Sequence, residues 1–497
     1  IILILDTYQS DLFEEVLRHK PEVADAFDGF TYFPNATGGY PSTRASIPLI
    51  LAGVYYDNME PFGKFLDHNL RSNSIVSKLK DEGYQATAYG LAIEGTKDIF
   101  RNSSLTDRIH TDSELLDKVQ ESCYLERYSD IFLKIYLVPL IRYLPHLLKK
   151  RAVQTYYSKL FPSTYRKDLE ILKKIEKSAK ADTDTPVLKI YHFGGVHPPH
   201  IFENEEPPNV TEETDYMKAS LLSINLASRF LEKLKKIGIY DRTTIFIVAD
   251  HGIIDQIPGM ANPLMMFKPF ETRGTLRTSK DSVSLRDIKP TILKLLGMND
   301  HDPSYILDIK READQKLHPF YEYTWSIHSW NRDYLPPIRK FMIVNSPRLL
   351  GNWKWTQERL LGPASEKVPK YKLGTVIDFS SSSTYRAYTR GFCLPEGSGA
   401  WNCDPWVFFW LPIASGQEEL VLSIEARPCI ILPVQPIQTI NIYVDDQKVA
   451  SKKFTNVAKF EVKFNDSSQN DEILNLAFEF PNARSPKSLG VSRDVRE

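Results

Sequence analysis

Two stretches of the chain are continuous apolar runs that stop on a carboxylate. Ile1-Ile2-Leu3-Ile4-Leu5 ends in Asp6, and Ile245-Phe246-Ile247-Val248-Ala249 ends in Asp250-His251-Gly252. Branched apolar residues without alternation read as strands buried on both faces, the mark of a parallel sheet. Val187-Leu188-Lys189-Ile190-Tyr191-His192 reads as a third strand, and Ala86 to Gly90 as a short fourth. Apolar residues recur at helical spacing over Ser74 to Glu82, Tyr165 to Lys180, Asp215 to Ile237 and Leu285 to Leu296. This alternation predicts an α/β fold with a mainly parallel sheet sandwiched by helices.

The pattern changes beyond about residue 375. Trp406 to Pro412, Glu419 to Glu425, Thr439 to Val444 and Ala458 to Phe464 alternate or run apolar with turn signals between them, and Asp445-Asp446 suits a hairpin tip. These features predict a C-terminal β-sandwich of jelly-roll type. The expected organisation is a catalytic domain over residues 1–375 and an accessory β-domain over 376–497, with glycan contact as one role for the latter. Phe320 to Trp355 is rich in aromatics, including Trp325, Trp330, Tyr334 and Trp353, with His328 among them and His318 just before; it reads as core joining the two domains or as a substrate wall.

In open α/β sheets the ligand site lies beyond the carboxyl ends of the strands, so Asp6, Asp250 and His251 are expected at one edge. The stretch Gly38-Gly39-Tyr40-Pro41-Ser42-Thr43 is turn-rich, and an apolar run of helical character follows. Thr43 is thereby placed at a helix start, where unpaired amides and the positive dipole end favour a phosphate or sulfate. Taken alone, Thr43 is simply a helix cap. Taken with the two carboxylate-ended strands, Asp6, Thr43, Asp250 and His251 form an oxygen and nitrogen ligand set for one divalent ion, Mn²⁺, Mg²⁺ or Zn²⁺. Such an ion would lower the pKa of the hydroxyl and screen the charge of an anionic ester.

These residues resemble the alkaline phosphatase/sulfatase superfamily. The likeness is to its branch of lipoteichoic acid synthases, phosphoglycerol transferases and phosphoethanolamine transferases. It spans roughly residues 1 to 355. In that branch a Thr nucleophile opens a short helix, with Ser and Pro following it at the offsets where Ser46 and Pro48 stand here. Asp6 matches the first acidic ligand, and Asp250-His251 the later Asp-His pair. His192 and His197 match the two histidines of a His-x-x-Gly-x-His motif, and the resemblance implies that they contact the substrate phosphate, protonate a leaving oxygen or hold a second metal. His200 matches less well. The resemblance also points Arg44 toward the transferred phosphate.

Two departures matter. Sulfatases convert a Cys or Ser of Cys-x-Pro-x-Arg to formylglycine; aligning that Arg on Arg44 puts Tyr40 at the converted position, and tyrosine cannot undergo the conversion. The segment Ile253 to Ala261 lacks the further His of phosphoethanolamine transferases, and Asn262 follows it, which favours one ion over two. The implied reaction moves a phosphoglycerol or similar group from an anionic phospholipid donor to a cell-surface glycan acceptor, through a phospho-Thr43 intermediate with His197 as acid and base. Phosphoglycerol is preferred because the cysteine framework typical of phosphoethanolamine transferases is absent. The alternatives are a phosphodiesterase or sulfatase-type hydrolase and, from another class, an inactive lipid- or glycan-binding protein. The implied setting is the extracytoplasmic face of a bacterial cell membrane, with upstream helices as anchor. Tyr128 to Arg151 mixes Leu, Ile, aromatics and Lys/Arg; it suits an interfacial helix at a membrane surface or a helix buried against the core.

Composition adds limits. The chain has 497 residues, 25% charged and 42% hydrophobic, with a formal net charge of −1. That is ordinary globular material with no field to gather nucleic acid, so no nucleic-acid partner is expected. Of four cysteines, Cys393 and Cys403 flank a loop that a small disulfide would close, while Cys123 and Cys429 are isolated. The spacing does not resemble a metal cluster, and it permits an oxidising compartment.

Overall fold

The computed structural model describes residues 1–90, 108–110, 164–181, 185–198, 215–253, 259–298, 306, 317–323, 333–336, 338–349, 352–360, 371–380, 389–390, 392, 399–402, 406–413, 419–444, 447–465 and 473–484. The chain divides into two compact units, one of residues 1–254, 258–335 and 341–354, the other of 255–257, 336–340 and 355–497.

In the first unit an eight-stranded sheet contains Ile2–Leu5 (β1), Thr31–Tyr32 (β2), Gln85–Tyr89 (β3), Arg108–His110 (β4), Val187–Phe193 (β5), Ile245–Val248 (β6), Met265–Lys268 (β7) and Arg277–Thr278 (β8). Its order is β4-β3-β5-β1-β6-β7-β2-β8. The five strands β4, β3, β5, β1 and β6 all run parallel, and β7 is antiparallel to its neighbours β6 and β2. The apolar runs do form the buried centre: every residue of β1 and β6 is buried.

Side chains alternate across these strands. Leu3, Leu5, Tyr191, Phe193, Ile245 and Ile247 point into one core with Phe13 and Val16 of Ser10–His19 (α1). Thr43–Ala52 (α2), Phe62–Ser72 (α3) and Ile75–Asp81 (α4) come next in the chain. The same core takes Leu169 and Leu172 of Thr164–Ser178 (α5), and Ile224 and Phe230 of Asp215–Lys236 (α6). Ile288–Leu295 (α7) packs on α2. The expected helices and strands thus fall within a few residues of their sequence-derived bounds.

Leu317–Glu322 (β9), Ile338–Val344 (β10) and Trp353–Leu360 (β11) form a three-stranded sheet. Phe320 and Phe341 are buried, and the half-buried Trp353 ring meets them at 5.5 and 5.3 Å, both edge-on.

The second unit is antiparallel. Thr389–Arg390 (β12), Trp406–Pro412 (β13), Gln438–Val444 (β15), Gln447–Phe454 (β16) and Ile473–Glu479 (β18) form one sheet in the order β12-β13-β18-β15-β16, while Glu419–Ala426 (β14) pairs with Ala458–Asn465 (β17). One core serves both sheets: Leu420, Val462 and Phe464 of the pair pack with Val407, Phe409, Leu411, Ile440, Ile442 and Leu476. This is the predicted sandwich. Val444 is in register with Gln447, so β15 and β16 are joined through the predicted tip, although Asp445 and Asp446 themselves lie outside the described residues. Also outside them are the Tyr128 to Arg151 segment, His200, His328, Trp325, Trp330, Asp255, Cys123, Cys393 and Cys403. Among the described residues no helix is long and apolar enough to cross a membrane.

Candidate functional site

The site is assembled by register. Ile4 of β1 is level with His192 on one side and Val248 on the other, and Leu5 is level with Phe193. The next residue of β1 is Asp6, and two residues after β6 stands Asp250. Three adjacent parallel strands therefore deliver two carboxylates and two imidazoles to one edge. Asp6, His192 and Asp250 each place a ligand-type atom within 4.8 Å of the others. Nε2 of His192 is 3.6 Å from Asp6 Oδ2. Nε2 of His251 is 3.6 Å from both Asp6 Oδ1 and Asp250 Oδ2.

Both imidazoles are oriented from behind. His192 Nδ1 lies 3.1 Å from the Gly90 carbonyl, and His251 Nδ1 lies 2.6 Å from the Gly252 carbonyl. A carbonyl only accepts, so each Nδ1 carries a hydrogen and each Nε2 is the ring atom turned toward the carboxylates. Ligating histidines are held this way, by a donor bond from the other ring nitrogen. His192 Nε2 and Asp250 Oδ2 are buried and have no hydrogen-bond partner. Bare imidazole nitrogens facing carboxylates repel unless a cation or proton lies between them. The residues present therefore fit a divalent ion.

The electrostatics are divided between the carboxylates. Burial and the charge of Asp250 raise Asp6 above the usual carboxylate value against the pull of His192, His251 and His197. Burial would raise Asp250 too, but His251, His192, the Thr43 hydroxyl and the Thr7 amide hold it below its ordinary value.

Thr43 opens α2, with its hydroxyl 3.3 Å from His251 Nε2. Ser46 N–H is the first α2 amide to find a partner one turn back, at Ser42 O, 3.2 Å away. Preceding amides of a helix have no such partner and aim outward from its start. The approach to Thr43 is fixed by aromatic packing: Ser42 Oγ meets the Tyr323 hydroxyl at 2.5 Å. The buried Tyr40 hydroxyl accepts from Tyr56 N–H and donates to Tyr56 O. Tyr40 is thus a strut of the loop. Arg44 is buried and holds its guanidinium 4.7 Å over the Phe62 ring.

His197 is half-buried, with Nδ1 2.5 Å from Pro198 O. Its loop is tied to Asp6. Gly195 has φ +56°, and a Cβ there would sit 2.4 Å from Asp6 O; Val196 N–H donates to that same oxygen at 2.9 Å. Asn262, which follows the segment where the resemblance looks for a histidine, is engaged elsewhere: it donates to Pro34 O and Ala36 O and accepts from Arg348 Nε.

Two residues escaped the sequence reading. Asp168 of α5 is buried and accepts from Gly194 N–H at 2.9 Å and Gly195 N–H at 3.2 Å, so it pins the loop that carries His197. Thr7 adopts φ 61°, a strained state for a β-branched residue. That turn lets its hydroxyl donate to Asp6 Oδ1 at 2.8 Å and its amide to Asp250 Oδ1 at 3.2 Å, which ties the two carboxylates together. Asp168 lies in an ordinary amphipathic helix, without a motif. The only trace of Thr7 is its place directly after a strand-ending Asp.

Residues 1–298 match the family model described as Sulfatase. No curated protein matches the chain. Solved structures similar to it include the lipoteichoic acid synthase LtaP from Listeria monocytogenes, at 14% identity over 71% of this chain and 85% of that one, with a TM-score of 0.41. The phosphonate monoester hydrolase SpPMH from Silicibacter pomeroyi shows 13% identity over 71% and 87%, at 0.44. The C-terminal periplasmic domain of EcEptC from Escherichia coli, in complex with Zn, shows 12% identity over 64% and 87%, at 0.38. The family model covers more than half of the chain and contains Asp6, Thr43, His192, Asp250 and His251, so the chain belongs to the Sulfatase family.

Proposed function

We propose that the protein is a transferase that moves a phosphoglycerol or similar phospho-alcohol group from an anionic phospholipid to a cell-surface glycan. One observation carries this reading: the Thr43 hydroxyl opens a helix 3.3 Å from His251 Nε2, beside two buried carboxylates and the unpartnered His192 Nε2. Asp6, His192, Asp250 and His251, with Thr43, would hold one divalent ion, of which Mn²⁺, Mg²⁺ and Zn²⁺ all suit the donor set. When bound, such an ion supplies Lewis-acid stabilisation of a phosphoryl oxygen and a lower pKa for a nearby hydroxyl.

The chain's own groups do the rest. Thr43 Oγ1 attacks phosphorus as its proton passes to the Asp250 carboxylate, which keeps a lone pair beyond any given to an ion, and that proton returns to Thr43 when the phospho-ester is later broken. The bond from phosphorus to the diacylglycerol oxygen breaks, and His197 protonates that oxygen so that diacylglycerol leaves as the neutral alcohol. The amides at the start of α2 face the charge that develops on the transferred group. In the second half His197 takes the proton of a glycan hydroxyl, which attacks the phospho-Thr43 ester and regenerates the threonine. Tyr40, enclosed in the core at the aligned position of the converted residue, argues against formylglycine chemistry. The implied setting is an extracytoplasmic membrane surface.

Intact-protein mass spectrometry after incubation with phosphatidylglycerol and Mn²⁺ tests this directly. A glycerophosphate adduct is expected on the wild type and not on Thr43→Ala. Absence of an adduct with phosphatidylglycerol and phosphatidylethanolamine alike would end the transfer reading. Free glycerophosphate released at the rate of donor loss would make the protein a phosphodiesterase.

A further inference from the structure

The loop between β14 and β15 is unlike the rest of the second unit. Leu432 is 75% exposed, Val434 56% and Ile437 37%, and they lie within six residues of one another. Exposed apolar side chains grouped on a soluble surface mark a contact site rather than chance. Part of the backbone beneath them is paired within the loop. Ile431 and Gln435 exchange N–H to carbonyl bonds of 3.0 and 2.6 Å, and Pro433 and Pro436 carry no N–H at all. Gln435 Nε2 donates to Cys429 O and Gln438 Oε1, Gln438 Nε2 donates to Asn482 Oδ1, and Asn482 donates to Ile437 O. The loop is therefore stapled from behind by side-chain amides, with its apolar tip held outward.

Charge decides what the tip fits. From Ala426 to Val444 there is no Asp or Glu. The flanking charges are cationic: Arg427 precedes the loop and Arg484 follows the Asn482 staple, and both are exposed. An apolar tip on a loop with two prolines and two paired amides, with exposed arginines before it and after its staple, suits entry into the headgroup zone of an anionic bilayer. A glycan face would offer aromatic or polar groups, and Ile430 to Ile437 has no aromatic residue, with its single polar side chain turned into the staple.

We propose that the Leu432–Val434–Ile437 tip docks the second unit onto an anionic lipid surface. This is independent of the chemistry assigned to Thr43, and Thr43→Ala should bind vesicles as the wild type does. The test is co-sedimentation of the full chain with vesicles of phosphatidylcholine alone and with roughly a third phosphatidylglycerol. The wild type should bind the anionic vesicles at least ~10-fold better, and less at high salt. The double variant Leu432→Ser/Val434→Ser and the double variant Arg427→Glu/Arg484→Glu should each lose ~10-fold or more while melting as the wild type does. A Leu432→Trp variant gives a readout without loss of apolar surface: its added fluorescence should shift to the blue on anionic vesicles only. Equal partitioning of wild type and Leu432→Ser/Val434→Ser, or no blue shift, overturns the proposal. So does a dimer by light scattering that the serine variant dissolves, since a second copy would then cover the tip.

Discussion

In the first unit, Asp6, His192, Asp250 and His251 are all buried at one sheet edge, and two of their polar atoms have no partner. In the second unit Gln435 Oε1 and Thr389 Oγ1 are also buried without a partner, but these are neutral groups; the amide donors of Gln435, Gln438 and Asn482 all find acceptors, and lysines pair with acids across strands at the surface. Lys459 meets Glu425 at 2.9 Å across β14 and β17, directly in register, and Lys463 meets Glu419 at 3.6 Å. Neutral amides can be buried cheaply when they bond one another, and exposed ion pairs contribute little either way. Two carboxylates buried side by side, with imidazole nitrogens turned toward them, oppose folding. A chain keeps such a cluster where something must bind, so the contrast separates a working edge from a scaffold.

The sharpest way to break that contrast is at the nucleophile. Thr43→Ala should lower turnover of a chromogenic phosphodiester by at least ~10³-fold, with an unchanged melting temperature. A loss below tenfold would mean that the hydroxyl is only a cap.

Next comes the ion. Asp250→Asn should weaken Mn²⁺ binding, read by calorimetry, by ~100-fold or more. At 100 times its Kd the ion should add about 2.7 kcal/mol to the wild type's unfolding free energy, and nearly nothing to that of Asp250→Asn. Equal metal stabilisation of both would show that the cluster is not the site.

Asp168→Ala leaves two loop amides without their acceptor and should cost about 2 kcal/mol by denaturant unfolding. Because that loop carries His197, turnover should fall as well, and Asp168→Asn, which keeps one acceptor, should lie between.

A smaller effect is the pH slope of the chelator-treated protein. Asp6 is raised, so between the ordinary carboxylate value and its own raised value the folded state holds the extra proton, and stability falls as pH rises. Asp250 is lowered and acts with the opposite sign, supplying stability above the ordinary value that is lost as pH falls through its own. Melting of Asp6→Asn against pH should lose the first slope and keep the second. Smallest of all, Lys459→Ala should leave the melting temperature where it was; a clear drop would show that the second unit depends on its surface charges after all.

The strands and their terminal acids were legible because burial on both faces forces an unbroken apolar run, and a carboxylate at the end of one is conspicuous. The β-sandwich was legible for a related reason: Trp406 to Pro412 and Ala458 to Phe464 carry strand-forming residues between turn signals. The resemblance singled out His192 and His197, and strand register sets His192 beside Asp6 and Asp250, because it shares the level of Ile4 in β1. Arg44 lies against the Phe62 ring, a contact between two helices that no local pattern encodes.

Read by itself, the chain determined which residues had to be out of water and where each strand stopped, since hydrophobic periodicity is a local property. Which carboxylate lies beside which imidazole, how Thr7 turns to bridge Asp6 and Asp250, and why Asp168 reaches the glycines before His197 were decided only by the tertiary structure. Those facts depend on strand order and register, and the pairings that set them join residues as far apart as Thr7 and Asp250 in the sequence.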